Sequence, residues 1–233
     1  MAAGTRARSY EEMVDALAEE GLPALQDKLS NLKPGDWDRL TFLRPPEPGK
    51  SPWTVLELAA HFNVFMGLTM GLVAEPQEAQ PVVDRASFYI SVSDRSKVSP
   101  VIYQYIVDHA EGHTPATILN TVRETFDQAL EAIRTTPPDT IGPGFFGPMR
   151  LDEFVATRLV ETRVHGIDLT DALGEPPLHM PRTTTMAAEV LDEVLARRAV
   201  PGRPADLEGD DLAFIRAAAG RGEYPDPRLP VVG

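Results

Sequence analysis

Residues 151–173 read LDEFVATRLVETRVHGIDLTDAL, and this stretch decides the fold. Leu151, Phe154, Arg158, Glu161, His165 and Leu169 recur at spacings of three and four, so they share one face of a helix. Gly174 and Pro176 end it. The stripe is apolar at both ends, yet its middle holds an arginine, a glutamate and a histidine. Burying such groups is costly unless they are paired or bind something.

Helical spacing continues on both sides, and five or six helices joined by loops rich in Pro and Gly are expected. Residues 10–32 carry Met13, Leu17, Leu22, Leu25 and Leu29 at that spacing. A kink or split is expected at Gly21-Leu22-Pro23, because Pro23 has no N–H to donate. Ser51 as N-cap and Pro52 at the first position predict a second helix running to about residue 73. Residues 44–50 form a Pro-rich loop. Residues 76–100 are a long connection, with a short helix expected near 87–93. Residues 100–111 read as a helix with Ile102, Tyr105 and Ile106 facing inward. Thr114-Pro115 opens another, carrying Ile118, Val122, Phe126, Leu130 and Ile133. Residues 142–148 read as a flexible connection, with Phe145 and Phe146 available to line a pocket mouth. Past Gly174, helices are expected over 183–199 and near 210–219, followed by a docked tail. Strand signals are weak; 84–93 with 229–232 is the only candidate pair.

The chain has 233 residues, enough for one sizeable core. It has no cysteine, which excludes disulfides, cysteine-ligated metals and a cysteine nucleophile; thiol chemistry here needs a thiol brought in by a ligand. A net charge of -13 opposes binding to nucleic acid or to an anionic membrane. Apolar stretches such as Val64-Phe65-Met66-Gly67-Leu68 look too short to cross a bilayer. No apolar segment follows Met1 to Arg8, so no secretory leader and a cytoplasmic location are expected. Phosphate-binding glycine loops and nucleophilic-serine turns are not found.

Glu161 and His165 stand four apart, so a carboxylate oxygen and an imidazole nitrogen can meet at one point. Catalytic zinc sites commonly use three protein ligands and leave a position open. His61, inside the apolar run Leu58-Ala59-Ala60-His61-Phe62, is the best third ligand. Asp168 lies three residues past His165 and could orient a ligand from behind. The plainer reading is a hydrogen-bonded core cluster, with His61 a satisfied core histidine and Arg158 bridging Glu161. Spacing alone leaves both open. A rival group, Asp108, His109 and His113, spans Gly112 and abuts Thr114-Pro115. It reads as a solvated helix end, and His179 as an exposed loop residue.

Ser51-Pro52-Trp53-Thr54-Val55-Leu56-Glu57-Leu58-Ala59-Ala60-His61 resembles the second-helix motif of the DinB-like superfamily, and more narrowly the N-terminal domain of mycothiol-dependent maleylpyruvate isomerase. Arg158-Leu159-Val160-Glu161-Thr162-Arg163-Val164-His165-Gly166-Ile167-Asp168-Leu169 resembles the later helix of the same family. The likeness covers about residues 10–174. It implies an all-α, DinB-like four-helix bundle with a long crossover over residues 1–174. Residues 175–233 are expected to form a small C-terminal helical extension packed on that bundle. The resemblance also implies His61, Glu161 and His165 as metal ligands, Arg158 and Asp168 as supporting catalytic groups, and mycothiol or a related thiol as cosubstrate. Arg158 could instead hold an anionic substrate. Zinc suits mixed nitrogen and oxygen ligands at an open site, with nickel, iron or manganese as alternatives. The expected activity is thiol transfer or isomerisation on a small electrophile, in a monomer or homodimer. A thiol-independent hydrolase or cyclase on the same fold, or a metal-free binding protein, are the alternatives.

Overall fold

The computed structural model describes residues 8–43, 45, 48–93, 99–198 and 202–232. Parts of the expected Pro-rich loop (44, 46 and 47), the last residue of the helix expected over 183–199, and the first seven residues lie outside them.

The chain begins with α1 (Tyr10–Ala16), capped by Ser9, whose hydroxyl accepts from the Glu12 N–H while Glu12 returns a bond to the Ser9 N–H. The break expected at Gly21-Leu22-Pro23 appears as a π turn over Leu17–Gly21, after which α2 (Leu22–Ser30) continues. The Leu22 N–H reaches back to Leu17 O, so the extra residue is absorbed without ending the helix.

The next helix, α3 (Val55–Ala74), starts three residues later than Ser51-Pro52 predicts. Its N-cap is Thr54, and Thr54-Val55-Leu56-Glu57 is a capping box: the Glu57 N–H donates to Thr54 Oγ1, and the Thr54 N–H donates to Glu57 Oε2. Trp53 therefore precedes the helix, and its carbonyl accepts from the N–H and the hydroxyl of Thr41. By length and composition α3, with 20 residues and a mean hydropathy of 1.4, could span a bilayer, contrary to the sequence expectation. More than half of that window, 56%, is buried inside the protein, and α3 packs on the neighbouring helices as a core element.

The crossover carries α4 (Arg85–Val92) and α5 (Ser99–Ala110); α6 (Pro115–Thr135) follows, capped by Thr114. The 84–93 segment is thus helix, not strand, and α5 turns Tyr105 outward. Residues 142–148 are not a flexible connection. Strands β1 (Ile141–Gly144) and β2 (Gly147–Arg150) pair antiparallel, with Gly142 opposite Met149 and Pro143 opposite Pro148. Pro and Gly hide this hairpin from pattern reading, since both are normally depleted in strands. Gly142 is required because a Cβ there would lie 1.9 Å from the Leu72 carbonyl oxygen of α3.

α7 (Leu151–Leu173) is the central element, with buried positions on every side, Phe154, Val155, Leu159, Val160 and Ile167 among them. A helix buried all round shows little amphipathic contrast. Each such fully buried apolar side chain contributes about 1.5–3 kcal/mol. α8 (Pro181–Arg198) packs on α7 and α4, and α9 (Asp211–Ala218) packs on α8, all within one contiguous core. After α9 the chain reverses through Gly220 (φ 68°): the Gly220 N–H bonds to Ala217 O and the Arg221 N–H to Arg216 O. This pair of bonds is a Schellman motif, which needs the left-handed residue that glycine supplies most readily. It delivers Arg221 onto α7.

Candidate metal centre

His61 lies in the second turn of α3, and Glu161 and His165 lie one turn apart on α7. Glu161 Oε2 is 3.5 Å from His61 Nε2 and 3.3 Å from His165 Nε2, and one ligand atom from each residue falls within 4.8 Å of the others. Atoms bound about 2.1 Å from a tetrahedral ion sit about 3.4 Å apart. Both spacings match such an edge better than a hydrogen bond, for which about 2.7–3.2 Å is usual. His61 has both ring nitrogens buried with no hydrogen-bond partner. A buried unsatisfied polar group costs about 1–3 kcal/mol, so the donor set fits a metal that takes up one of these nitrogens.

The two histidines are held differently. His165 Nδ1 meets Asp168 Oδ2 at 2.8 Å, which directs Nε2 at Glu161. Arg221 grips Asp168 with both ends of its fork, Nε to Oδ1 at 2.9 Å and Nη2 to Oδ2 at 2.8 Å. His61 is held by packing: its ring lies 5.2 Å from Trp53, 5.6 Å from Phe65 and 4.4 Å from His165, centre to centre. Trp53 in turn stacks on Tyr103.

Arg158 lies beneath this cluster, 1% exposed. It donates to the Phe65 carbonyl at 2.6 Å and to Thr157 Oγ1 at 2.9 Å, with its guanidinium 4.3 Å from the Phe154 ring centre. Tyr89, from α4, reaches the cluster with its hydroxyl 3.0 Å from Glu161 Oε1. The structure thus brings together His61, Glu161, His165 and Asp168, sets Arg158 behind them, and adds Tyr89 and Arg221, which spacing did not reveal. Gly220 after an apolar helix signals the chain reversal that carries Arg221, but not its partner. No signal marks Tyr89. Among the described residues the rival group forms no metal cluster. His109 Nε2 meets the buried Asn63 amide at 2.7 Å, and His113 sits in the turn after Gly112, beside Thr117. His179 is exposed, and Phe146 packs against Phe88 while Phe145 is exposed.

Charge follows from these contacts. Burial alone raises the Glu161 carboxyl; the two imidazoles and Arg158 outweigh it and hold the group well below the usual carboxylate range. Asp168 is held low in the same way by Arg221 and His165. Burial, helped by His165 and Arg158, lowers His61 from 6.5 to about 4 against the pull of Glu161. His165 is raised, because Asp168 and Glu161 outweigh its burial. In metal-free protein, protonating the buried His61 therefore penalises the fold: stability is higher above its ordinary value of 6.5 and is lost as pH falls toward about 4. His165 acts in the opposite direction, and its contribution is lost as pH rises above 6.5. Urea unfolding of the metal-free protein at pH 6.5 and 4.5 should show a loss of up to about 3 kcal/mol. His61→Gln should flatten that limb; an unchanged slope refutes a neutral buried His61.

Fold and site together define a helical bundle that gathers two imidazoles and a carboxylate at its centre. The sequence profile of the mycothiol maleylpyruvate isomerase N-terminal domain matches residues 48–170, and the chain belongs to that family. A crystal structure of a histidine-to-alanine variant of the mycothiol-dependent maleylpyruvate isomerase superposes with a TM-score of 0.63 at 17% identity, covering 94% of this chain and 96% of that one. The crystal structure of the mycothiol-dependent maleylpyruvate isomerase itself gives 0.61 at the same identity and coverage. The fold is the DinB-like bundle of these isomerases, and the likeness runs past Gly174 into the C-terminal segment. No curated protein matches the chain.

Proposed function

We propose that this protein is a metal-dependent enzyme that uses a low-molecular-weight thiol, mycothiol first, either to isomerise a small electrophile or to transfer the thiol's sulfur onto it. The observation that carries the reading is the shared Glu161 oxygen, set at metal-site spacing from two imidazoles, one of them with no other partner. His61, Glu161 and His165 hold the divalent metal, zinc by preference for this donor set. When bound, the metal acts as a Lewis acid that lowers the pKa of a thiol from about 8.5 into the neutral range. The cosubstrate supplies the sulfur because the chain has no cysteine.

The protein's own residues prepare that site. Asp168 keeps the proton of His165 on Nδ1 and its Nε2 free to coordinate. Arg221 fixes Asp168, so residues 175–233 extend the 1–174 bundle and complete its centre. Arg158 spends its donors on Phe65 and Thr157, and acts on Glu161 through charge rather than on substrate. Trp53 and Phe65 supply apolar surfaces against the ring of His61. Membership of an isomerase family supports an enzyme, and isomerisation differs from transfer only in whether the added thiol is expelled again.

Elemental analysis of the purified protein tests the reading. About one equivalent of divalent metal per chain is expected, with turnover of maleylpyruvate or a related electrophile dependent on added thiol. Absence of metal after zinc loading refutes it; full activity without thiol refutes the thiol role and points to a hydrolase or cyclase.

A further inference from the structure

Tyr89 belongs to the crossover helix α4, and its hydroxyl lies between two acceptors, Glu161 Oε1 at 3.0 Å and the Thr157 carbonyl oxygen at 2.9 Å. A phenol has one proton to give. Thr157 O already accepts from the Glu161 N–H in the regular ladder of α7. The carboxylate is the charged acceptor and makes the stronger bond. The proton therefore goes chiefly to Oε1, while Oε2 alone faces His61 and His165. Tyr89 is 2% exposed, and a phenol, with an ordinary pKa of about 10, is a donor at neutral pH.

The mount of this hydroxyl is stiff. Asp84 caps α4 at the Ser87 N–H. Arg85 is clamped by Glu153, Nε to Oε2 at 2.8 Å and Nη2 to Oε1 at 2.9 Å, which ties the first turn of α4 to the first turn of α7. Phe88 packs edge-on against both Tyr89 and Phe146 of the β1–β2 turn. A carboxylate with both oxygens free can bind a cation through one or both; one with an oxygen tied to a rigid donor cannot turn.

We propose that Tyr89 is a positioning residue for the metal centre: by holding Glu161 Oε1 it makes Glu161 a one-oxygen ligand and keeps a coordination position open for an incoming ligand. The inference rests on the metal-centre reading above. Tyr89→Phe retains the ring and deletes only the hydroxyl.

The test compares wild type, Tyr89→Phe, Glu161→Asp and the double variant by chelator competition with zinc, and by visible absorption of the cobalt(II) forms titrated with 2-mercaptoethanol. In Tyr89→Phe, zinc affinity should fall by about 10–100-fold. The cobalt absorption should weaken as coordination number rises, and 2-mercaptoethanol should bind about tenfold more weakly or worse. In the Glu161→Asp background, whose shorter side chain cannot span Tyr89 and both imidazoles, the same change should matter by no more than about twofold. Wild-type affinity and spectrum in Tyr89→Phe overturn the proposal, as does an equal loss in the Glu161→Asp background, which would make Tyr89 a packing residue. A wild-type protein that binds neither metal overturns this inference together with the reading beneath it.

Discussion

His165→Ala is expected to release the metal and to leave activity at the level of the metal-free protein, with the helices still formed. In the proposed site His165 joins two parts of the chain: its Nε2 faces Glu161 on its own helix, and its Nδ1 meets Asp168, which Arg221 holds from beyond α9. Removing it takes away a donor, not merely an orienting group, so the loss of zinc affinity should exceed the roughly 10–100-fold typical of outer contacts. The fold should survive because Asp168 keeps both bonds from Arg221, and because the apolar core of α7 is untouched. The cavity left by the ring should cost about 1–3 kcal/mol. Elemental analysis, far-UV circular dichroism and a thiol-dependent assay on one preparation check all three statements. Persistent activity in that variant, with the metal gone, would refute the proposed chemistry outright.

What was legible in the sequence follows from how local each signal is. Glu161 and His165 could be grouped because helical spacing places i and i+4 on one face, and α7 is helical over its whole expected length. His61 stood out because a polar ring interrupts an apolar run, and that run is buried. Helices α5 to α9 lie within a few residues of their expected ranges, since their stops are Gly and Pro. Where two local signals competed, the stronger one won: Ser51-Pro52 suggested a helix start, but the reciprocal bonds of Thr54 and Glu57 satisfy two backbone N–H groups and set it later. The β1–β2 hairpin was hidden because its residues are those strands normally avoid. Tyr89 and Arg221 were hidden for another reason, their partners being 72 and 53 positions away. Pairing at that range is decided by how helices stack, which no window of sequence contains.

That distance gives the C-terminal segment a specific job, and Arg221→Ala should expose it. Asp168 is 3% exposed, and Arg221 supplies two charge-assisted bonds to it. Without the guanidinium the carboxylate keeps only His165 and stands largely uncompensated in the core. Breaking one side of a buried pair costs about 3–5 kcal/mol. For a chain of this size that corresponds to a fall in Tm of roughly 6–20 °C. The pH dependence identifies the cause. In the intact protein the Asp168 carboxyl lies below its ordinary 3.8, so its contribution to stability is present above that value and is lost as pH falls. Deleting Arg221 removes much of that depression. The deficit of the variant should therefore be full at neutral pH and shrink as pH drops below 3.8. Arg221→Lys, which keeps the charge but not the fork, should recover part of it. Arg221→Ala should also weaken zinc binding within the roughly 10–100-fold range of an outer contact, because a loosened Asp168 no longer fixes the ring of His165. Thermal unfolding with and without zinc separates the two losses. A variant as stable as wild type at pH 7 would show that the tail merely covers the bundle, and an unaltered zinc affinity would show that Asp168 orients His165 unaided.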